Sequence, residues 1–245
     1  MAGKLYGVGV GPGDPQLLTI KALRVIKECD IIAVPGKIAK DTVAYKIVEE
    51  ICPEIEKKEL LGIYMPMTKD KKALETSHAE GVSKLREQLD AGKNIAFLTL
   101  GDPTVYSTYM YLHGQIDEEG YDVEIVSGIP SFCAAAARLG ISIAQKAEQI
   151  HIIPASYQVE DALELSGTKI FMKAGGKLPV VKENLKEHPE KVYAVENCGM
   201  ENEHVYYGAD ELPEDAGYYT LVIAKDGKRR KCDEVISAKN KNPEI

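Results

Sequence analysis

No stretch of this sequence approaches the roughly 18 to 20 consecutive apolar residues of a membrane span. Nor does a charged segment with an apolar signal core precede the first Gly-rich stretch. Both absences lead us to expect a cytoplasmic protein with no membrane partner. Positive charge is also scarce: 30 Lys and Arg against 38 Asp and Glu leave a formal net charge of -8. That balance opposes the phosphate attraction on which nucleic-acid binding largely rests, so no nucleic-acid partner is expected. The five cysteines (Cys29, Cys52, Cys133, Cys198, Cys232) include no C-x-x-C pair, which argues against a disulfide framework and a zinc knuckle and makes small buried hydrophobes of most of them. The histidines (His78, His113, His151, His188, His204) lack metal-ligand spacing and no G-x-S-x-G elbow occurs, so neither a protein-held metal nor a nucleophilic triad is expected. Tryptophan is missing altogether.

What remains is the composition of a globular protein, 44% hydrophobic and 28% charged over 245 residues. This is enough for one large domain or two smaller ones. The first half reads as a series of β-loop-α units. Lys4 to Val10 is β-prone and breaks into the dense turn Gly11-Pro12-Gly13-Asp14-Pro15. Leu18, Ala22, Val25 and Cys29 follow at helical spacing, with Thr19 or Asp14 as cap, and Ile31 to Val34 reads as a second buried strand. Thr42 to Ile51 and the stretch through Leu74, Val82, Leu85 and Leu89 read as helices. Asn94 to Leu100 reads as a strand closed by Gly101-Asp102-Pro103, a Tyr-rich helix is expected from Val105 to about Glu118, and Val123 to Val126 as another strand. Fully apolar strands alternating with helices imply parallel pairing with both faces covered. The second half differs. Ile150 to Pro154, Lys169 to Met172 and Val192 to Val195 are separated by helical stretches, but Glu203 to Tyr207 and Tyr218 to Lys225 come without one, which predicts a mixed or hairpin ending. We place the boundary near Gly120, giving lobes of residues 1–120 and 121–245. The basic cluster Lys228-Arg229-Arg230-Lys231 reads as a solvated edge.

The Gly-rich turn first suggests a dinucleotide loop, but the register fails. G-x-G-x-x-G begun at Gly7 needs glycine at Pro12, and begun at Gly9 needs it at Asp14. No acidic residue follows the second strand and no G-K-[ST] is present. Pro12 and Pro15 also withhold N–H donors that a pyrophosphate would need, which favours a surface for close approach over a phosphate cradle. Asp102 stands at the carboxyl end of a central strand, where open α/β sheets bind ligands, although capping of the next helix would equally explain it. Ser127-Gly128-Ile129-Pro130-Ser131-Phe132, Lys173 to Lys177 and Glu196 to Gly199 are further strand-end turns, and together the turns are expected to line one crevice.

Three segments, Val8-Gly9-Val10-Gly11-Pro12-Gly13-Asp14-Pro15-Gln16-Leu17-Leu18-Thr19, Leu98 to Met110 with Gly101-Asp102-Pro103-Thr104-Val105-Tyr106, and Val126 to Phe132, occur in an order and spacing that resemble the tetrapyrrole methylases. The likeness covers nearly the whole chain. It implies two α/β lobes of the tetrapyrrole methylase type, a tetrapyrrole-binding N-terminal lobe and an S-adenosylmethionine-binding C-terminal lobe with the active site in the cleft between them, and a homodimer. The wording of the Gly101 to Met110 segment is most similar to enzymes that methylate C-20 of precorrin-2 or of its cobalt chelate, cobalt-factor II, in cobalamin biosynthesis. Carried over residue by residue, the resemblance implies cofactor contacts from Pro12, Leu100, Gly101, Asp102, Val105, Tyr106, Ser131, Phe132, Met172, Cys198 and Thr220. Cys198 stands where family members often have Gly. Asp102 and Tyr106 are the candidates for catalytic groups. The substrate would lie against Pro12, and its carboxylates would meet Lys37, Lys173 and Lys177. The cobalt-bearing substrate is favoured over metal-free precorrin-2, and another corrin-ring methylation stays open. A dinucleotide-dependent enzyme and a non-catalytic tetrapyrrole carrier are the alternatives of other classes.

Overall fold

Residues 4–126 alternate short apolar strands with amphipathic helices, and in the computed structural model, which describes residues 1–154, 159–187 and 191–226, they form one five-stranded sheet. Its strands are β1 (Lys4–Gly9), β2 (Ile31–Pro35), β3 (Glu59–Ile63), β4 (Ile95–Thr99) and β5 (Asp122–Val126), in the order β3-β2-β4-β1-β5 with every pair parallel. Side chains of β2 alternate between two cores. Ile32 and Val34 pack with Ala22, Val25 and Ile26 of α1 (Ile20–Glu28) and with Tyr45 and Val48 of α2 (Val43–Ile51). Ile31 and Ala33 pack with Val82, Leu85 and Leu89 of α3 (Lys71–Asp90) and Leu112 of α4 (Tyr109–Glu118). Both anticipated caps are used: the Thr19 hydroxyl accepts from Ala22 N at 3.1 Å to start α1, and Asp14 Oδ1 accepts from Gln16 N at 2.8 Å to start a preceding 3-10 turn.

This strand order locates a crevice. From β1 the chain crosses toward β2 over the α1 face, whereas from β4 it crosses toward β5 over the α4 face. Neighbouring strands whose connections leave in opposite directions mark the switch point at which open parallel sheets bind ligands, at their carboxyl ends. Here those ends carry the turns at Pro12 and Asp102.

The second unit is built differently. Strands β6 (Ile150–Pro154), β7 (Thr168–Met172), β8 (Lys191–Glu196), β9 (His204–Tyr207) and β10 (Thr220–Lys225) take the order β6-β7-β10-β8-β9. Only β6 and β7 are parallel; β10 is antiparallel to both β7 and β8, and β8 and β9 form a hairpin. The mixed ending expected from the late strands is thus present. Helices α6 (Val159–Leu163) and α7 (Leu178–Glu187) close one core through Leu163, Leu178 and Val181 against Phe171, Ala194 and Val222, while α5 (Ser131–Leu139) packs on β8 and β10.

Three expectations are corrected by the coordinates. The compact units divide between Pro130 and Ser131 instead of at Gly120, because β5 pairs with β1 along Lys4 to Val8 and so belongs to the first sheet. Strand β3 is not among the strands that the sequence pattern predicts. Helix α4 begins at Tyr109, four residues after Val105. Of the four described cysteines, Cys29 and Cys52 are buried as expected, whereas Cys198 is half-buried and Cys133 exposed. Cys232, His188 and the Lys228 to Lys231 cluster lie outside the described residues. Among the described residues no helix is long and apolar enough to cross a membrane.

Candidate functional site

The turns after β1, β4 and β5 are locked together through their backbones. Gly11 N donates to Gly101 O at 3.3 Å and Gly101 N to Gly11 O at 2.8 Å, a bridge that ties the Pro12 turn to the Asp102 turn. Both glycines have positive φ, 80° and 72°, a conformation that a β-carbon disfavours. A β-carbon on Gly128 would lie 2.1 Å from Gly101 O and 2.7 Å from the backbone of Gly9, so the three strand ends meet with no side chain between them. Pro12 is buried in this arrangement, and Leu100 packs against the α1/α2 core.

Asp102 fastens the same turns. It is 7% exposed; one carboxylate oxygen accepts from Thr104 N at 2.8 Å and Thr104 Oγ1 at 2.5 Å, and the other from Gly128 N at 3.0 Å. Its carboxylate therefore holds the β4 turn to the β5 turn. That capture also explains the late start of α4: the chain turns at Thr104, Tyr106 takes a left-handed φ of 50°, and Ser107 Oγ accepts from Tyr109 N at 3.2 Å before regular helix begins. Val105 is half-buried, and the Tyr106 side chain is 46% exposed. The amides of Val10, Gly11, Gly101, Thr104, Val105 and Gly128 are all engaged inside the protein. A phosphate nest needs such amides free, so these turns suit a ligand without phosphates, held by apolar side chains and carbonyls.

In the second unit, the carboxyl ends of β7 and β8 and the start of β10 share one edge. Ala174 N donates to Thr220 O at 2.9 Å and Asn197 N to Tyr219 O at 3.2 Å, and the buried Thr220 hydroxyl donates to Gly217 O at 2.7 Å. Met172, Lys173, Cys198 and Thr220 are thereby gathered at that edge; Met172 and Thr220 are buried, and Lys177 is exposed beside them. Lys173 has a φ of 57° and its ammonium lies 5.5 Å from the Tyr218 ring. Ser131 and Phe132, both half-buried, open α5. Lys37 belongs to the first unit, exposed at the carboxyl end of β2.

A family described as tetrapyrrole (corrin/porphyrin) methylases matches residues 4–212. The chain belongs to the tetrapyrrole methylases. It is 37% identical over 233 residues to a probable cobalt-precorrin-2 C(20)-methyltransferase of Methanocaldococcus jannaschii, covering 92% of this chain and 97% of that one. It is 30% identical over 243 residues to the precorrin-2 C(20)-methyltransferase of a Sinorhizobium species, covering 93% and 97%. An X-ray structure of a cobalt precorrin-4 methyltransferase superposes with a TM-score of 0.70 at 19% identity, over 91% of this chain and 94% of that one, which establishes the shared fold.

In this methylase the turn Glu196 to Gly199 is legible in the sequence, but the part that Glu196 itself plays at the second edge is not. Glu196, at the end of β8, accepts from Gly217 N at 2.6 Å and from Tyr206 Oη at 3.3 Å, and so fixes the approach to β10. A lone glutamate after an apolar strand carries no signal of this. Nor do the tyrosines announce themselves. Tyr109 fills the hole left by Gly7, whose β-carbon would lie 2.0 Å from its ring; burial raises its phenol well above the usual range. Burial likewise raises Tyr219 beside the β10 start.

Proposed function

We propose that this chain is an S-adenosylmethionine-dependent methyltransferase acting at C-20 of cobalt-factor II (cobalt-precorrin-2) in cobalamin biosynthesis, working as a cytoplasmic homodimer. The observation that carries this reading is the near end-to-end 37% identity to a relative bearing that activity in its name. The metal-free precorrin-2 reaction is the second reading, favoured by the equally complete match at 30% identity. Any cobalt would arrive within the tetrapyrrole as part of the substrate.

S-adenosylmethionine supplies an electrophilic methyl group on a sulfonium. The protein's task is positioning, which contributes roughly 7 to 11 kcal/mol in well-oriented reactions. We assign Leu100, Gly101, Val105 and Tyr106 to its methionine part, and Ser131, Phe132, Met172, Cys198 and Thr220 to further contacts, with Pro12 beneath the substrate. The turns fit such a ligand because their amides are already engaged and their side chains are largely apolar. Asp102, with both carboxylate oxygens accepting from Thr104 and Gly128, is a positioning residue in this scheme: it holds Gly101 and Tyr106 in place. Tyr106 is then the better placed of the two candidates to meet the proton that leaves C-20, since its side chain is partly exposed. Lys37, Lys173 and Lys177 are assigned to substrate carboxylates.

The test is methyl transfer from isotopically labelled S-adenosylmethionine to precorrin-2, with and without cobalt, the new methyl being located by NMR. A methyl at C-20 is expected, faster with cobalt present. Transfer to another ring carbon, or none, sinks the assignment.

A further inference from the structure

The tetrapyrrole reading leaves open how the carboxyl ends of β2 and β3 take part. These two strand ends are cross-tied: Gly36 N donates to Ile63 O at 2.8 Å, and a β-carbon on Gly62 would lie 2.4 Å from Lys37 O, so only glycine there lets the β2 loop ride on β3. The first residue beyond β3 is Tyr64, whose backbone carbonyl accepts from the buried Ser77 hydroxyl of α3. On this anchored frame the Lys37 ammonium lies 4.4 Å from the Tyr64 ring centroid. In a chain where many lysines meet carboxylates, as Lys21 meets Glu124 and Lys93 meets Glu59, the exposed Lys37 lies over an aromatic face. Ile38, next in the chain, and Met67, three residues after Tyr64, are exposed at 62% and 80%. A concavity of about 450 Å³ also opens beside Tyr64, but Asp70 and Glu80 line it as well as Lys72, so it offers an anion nothing.

One fixed cation among exposed apolar side chains matches a ligand that is flat, apolar and edged with carboxylates. We propose that Tyr64 and Lys37 form a recognition platform for a carboxylate-bearing arm of the tetrapyrrole, Lys37 contacting the anion and Tyr64 acting as the positioning residue that holds the ammonium. The inference rests on the substrate proposed above and adds Tyr64 as a determinant of its binding.

The experiment titrates the full chain with precorrin-2 by absorption and measures Kd for wild type, Lys37→Ala, Tyr64→Leu, Tyr64→Phe and the double variant. Lys37→Ala should weaken binding about tenfold. A cation–π contact at an exposed site corresponds to about two- to fivefold for Tyr64→Leu. Tyr64→Phe should bind as wild type, since it keeps the ring, and the double variant should be no worse than Lys37→Ala alone. S-adenosylhomocysteine affinity should be unchanged throughout. Proton NMR supplies a readout that a general packing defect would not give: the Lys37 ε-methylene, shifted upfield by the ring, should return to its ordinary position in Tyr64→Leu and stay upfield in Tyr64→Phe. Tight binding that ignores both substitutions, or a Lys37 signal indifferent to the ring, overturns this inference and leaves the proposed function standing. A wild-type protein that does not bind precorrin-2 overturns both.

Discussion

The two units solve one problem, that of holding several turns at a single sheet edge, in different ways. In the first, all strands are parallel, so every carboxyl end reaches the same edge and the turns can be packed backbone against backbone through Gly9, Gly11, Gly101 and Gly128. In the second, β10 runs against β7 and β8, so the edge mixes two strand ends with one strand start, and long-range hydrogen bonds join them. Each edge also contains a carboxylate that accepts a backbone N–H from another turn: Asp102 from Gly128 and Glu196 from Gly217. Asp102 is buried and Glu196 half-buried, so the same device should matter more in the first unit. Both edges also bring backbones into direct contact at glycine, since a β-carbon on Gly175 would lie 2.0 Å from Gly217 O; what differs is that the parallel edge gathers several such glycines from three strand ends.

The sharpest way to break this contrast is to add one methyl group to each edge. Gly128→Ala would force its β-carbon against backbone atoms that cannot swing away, and we expect a loss of about 3 kcal/mol or more in denaturant unfolding. In the turn after β7, Gly175→Ala would meet Gly217 O at 2.0 Å and should cost a similar amount, whereas its neighbour Gly176→Ala meets nothing within 4 Å and should be neutral to within about 0.5 kcal/mol. A neutral Gly128→Ala or Gly175→Ala would show that backbone contact does not set the rigidity of that edge. Next in size comes the pair of carboxylates. Asp102→Ala leaves the Gly128 amide and the Thr104 donors without an acceptor, for about 2 to 3 kcal/mol, and should abolish S-adenosylhomocysteine binding in calorimetry by releasing the turn. Glu196→Ala, more open to water, should cost about 1 kcal/mol. Asp102→Asn sharpens the comparison: its amide nitrogen must face one donor or the other, so it should recover only part of the loss. Normal ligand affinity in Asp102→Ala would show that the carboxylate does not organise the site.

Thiol labelling separates the units by burial. Cys29 and Cys52 are buried in the first unit, and loss of solvation pushes their thiols up to about 12 and about 11. Near pH 8 Cys29 stays in its unreactive thiol form, and reagent could reach it only after unfolding. Cys133 at the first turn of α5 is exposed, its thiol raised less strongly by partial burial, and should label in the native state. Peptide-resolved mass spectrometry should therefore find Cys133 modified within minutes and Cys29 protected until denaturant opens the first unit. Comparable rates would mean that this unit opens far more easily than its core implies.

The same contrast explains what could be read from residue order. The central strands of the first sheet are visible because strands buried on both faces, such as Ile31 to Val34 and Ile95 to Leu98, are apolar throughout. Both edge strands, β3 and β5, are exposed at their first residue and half-buried over the next three; β5 is still legible from the β-branched Val123, Ile125 and Val126, whereas β3 offers Leu60 and Leu61 followed by a glycine that admits the β2 loop. The boundary at Gly120 followed a strong turn residue, but strand order decides domain membership and pairing of β5 with β1 is long-range. The turns of the candidate site were conspicuous because close backbone approach demands Gly and Pro. What those turns hold on to, Gly128 N for Asp102 and Gly217 N for Glu196, was invisible, since nothing local couples residues 26 or 21 positions apart.

The smallest expected effect lies under the first sheet, where Tyr109 plugs the space above Gly7. Tyr109 Oη and His113 Nδ1 are 3.0 Å apart, and burial holds the His113 imidazole below its ordinary value, against a weaker upward pull from Asp117. A depressed basic group means that the unfolded chain takes up a proton before the folded one does. Stability from this source is complete above the unfolded value of about 6.5 and declines as pH falls from there through the folded value. In the tautomer whose Nδ1 accepts from the phenol, protonation also removes that lone pair and loosens the plug at its far end. Unfolding midpoints of the whole chain should therefore drop between about pH 7 and pH 5, and His113→Gln, which cannot titrate, should flatten that part of the profile. Because His113 is partly solvated the change should be modest, smaller than that of any of the disruptive substitutions above. A profile identical in slope for His113→Gln and wild type would assign the acid sensitivity of the first unit to other groups and leave the Tyr109 plug a purely steric device.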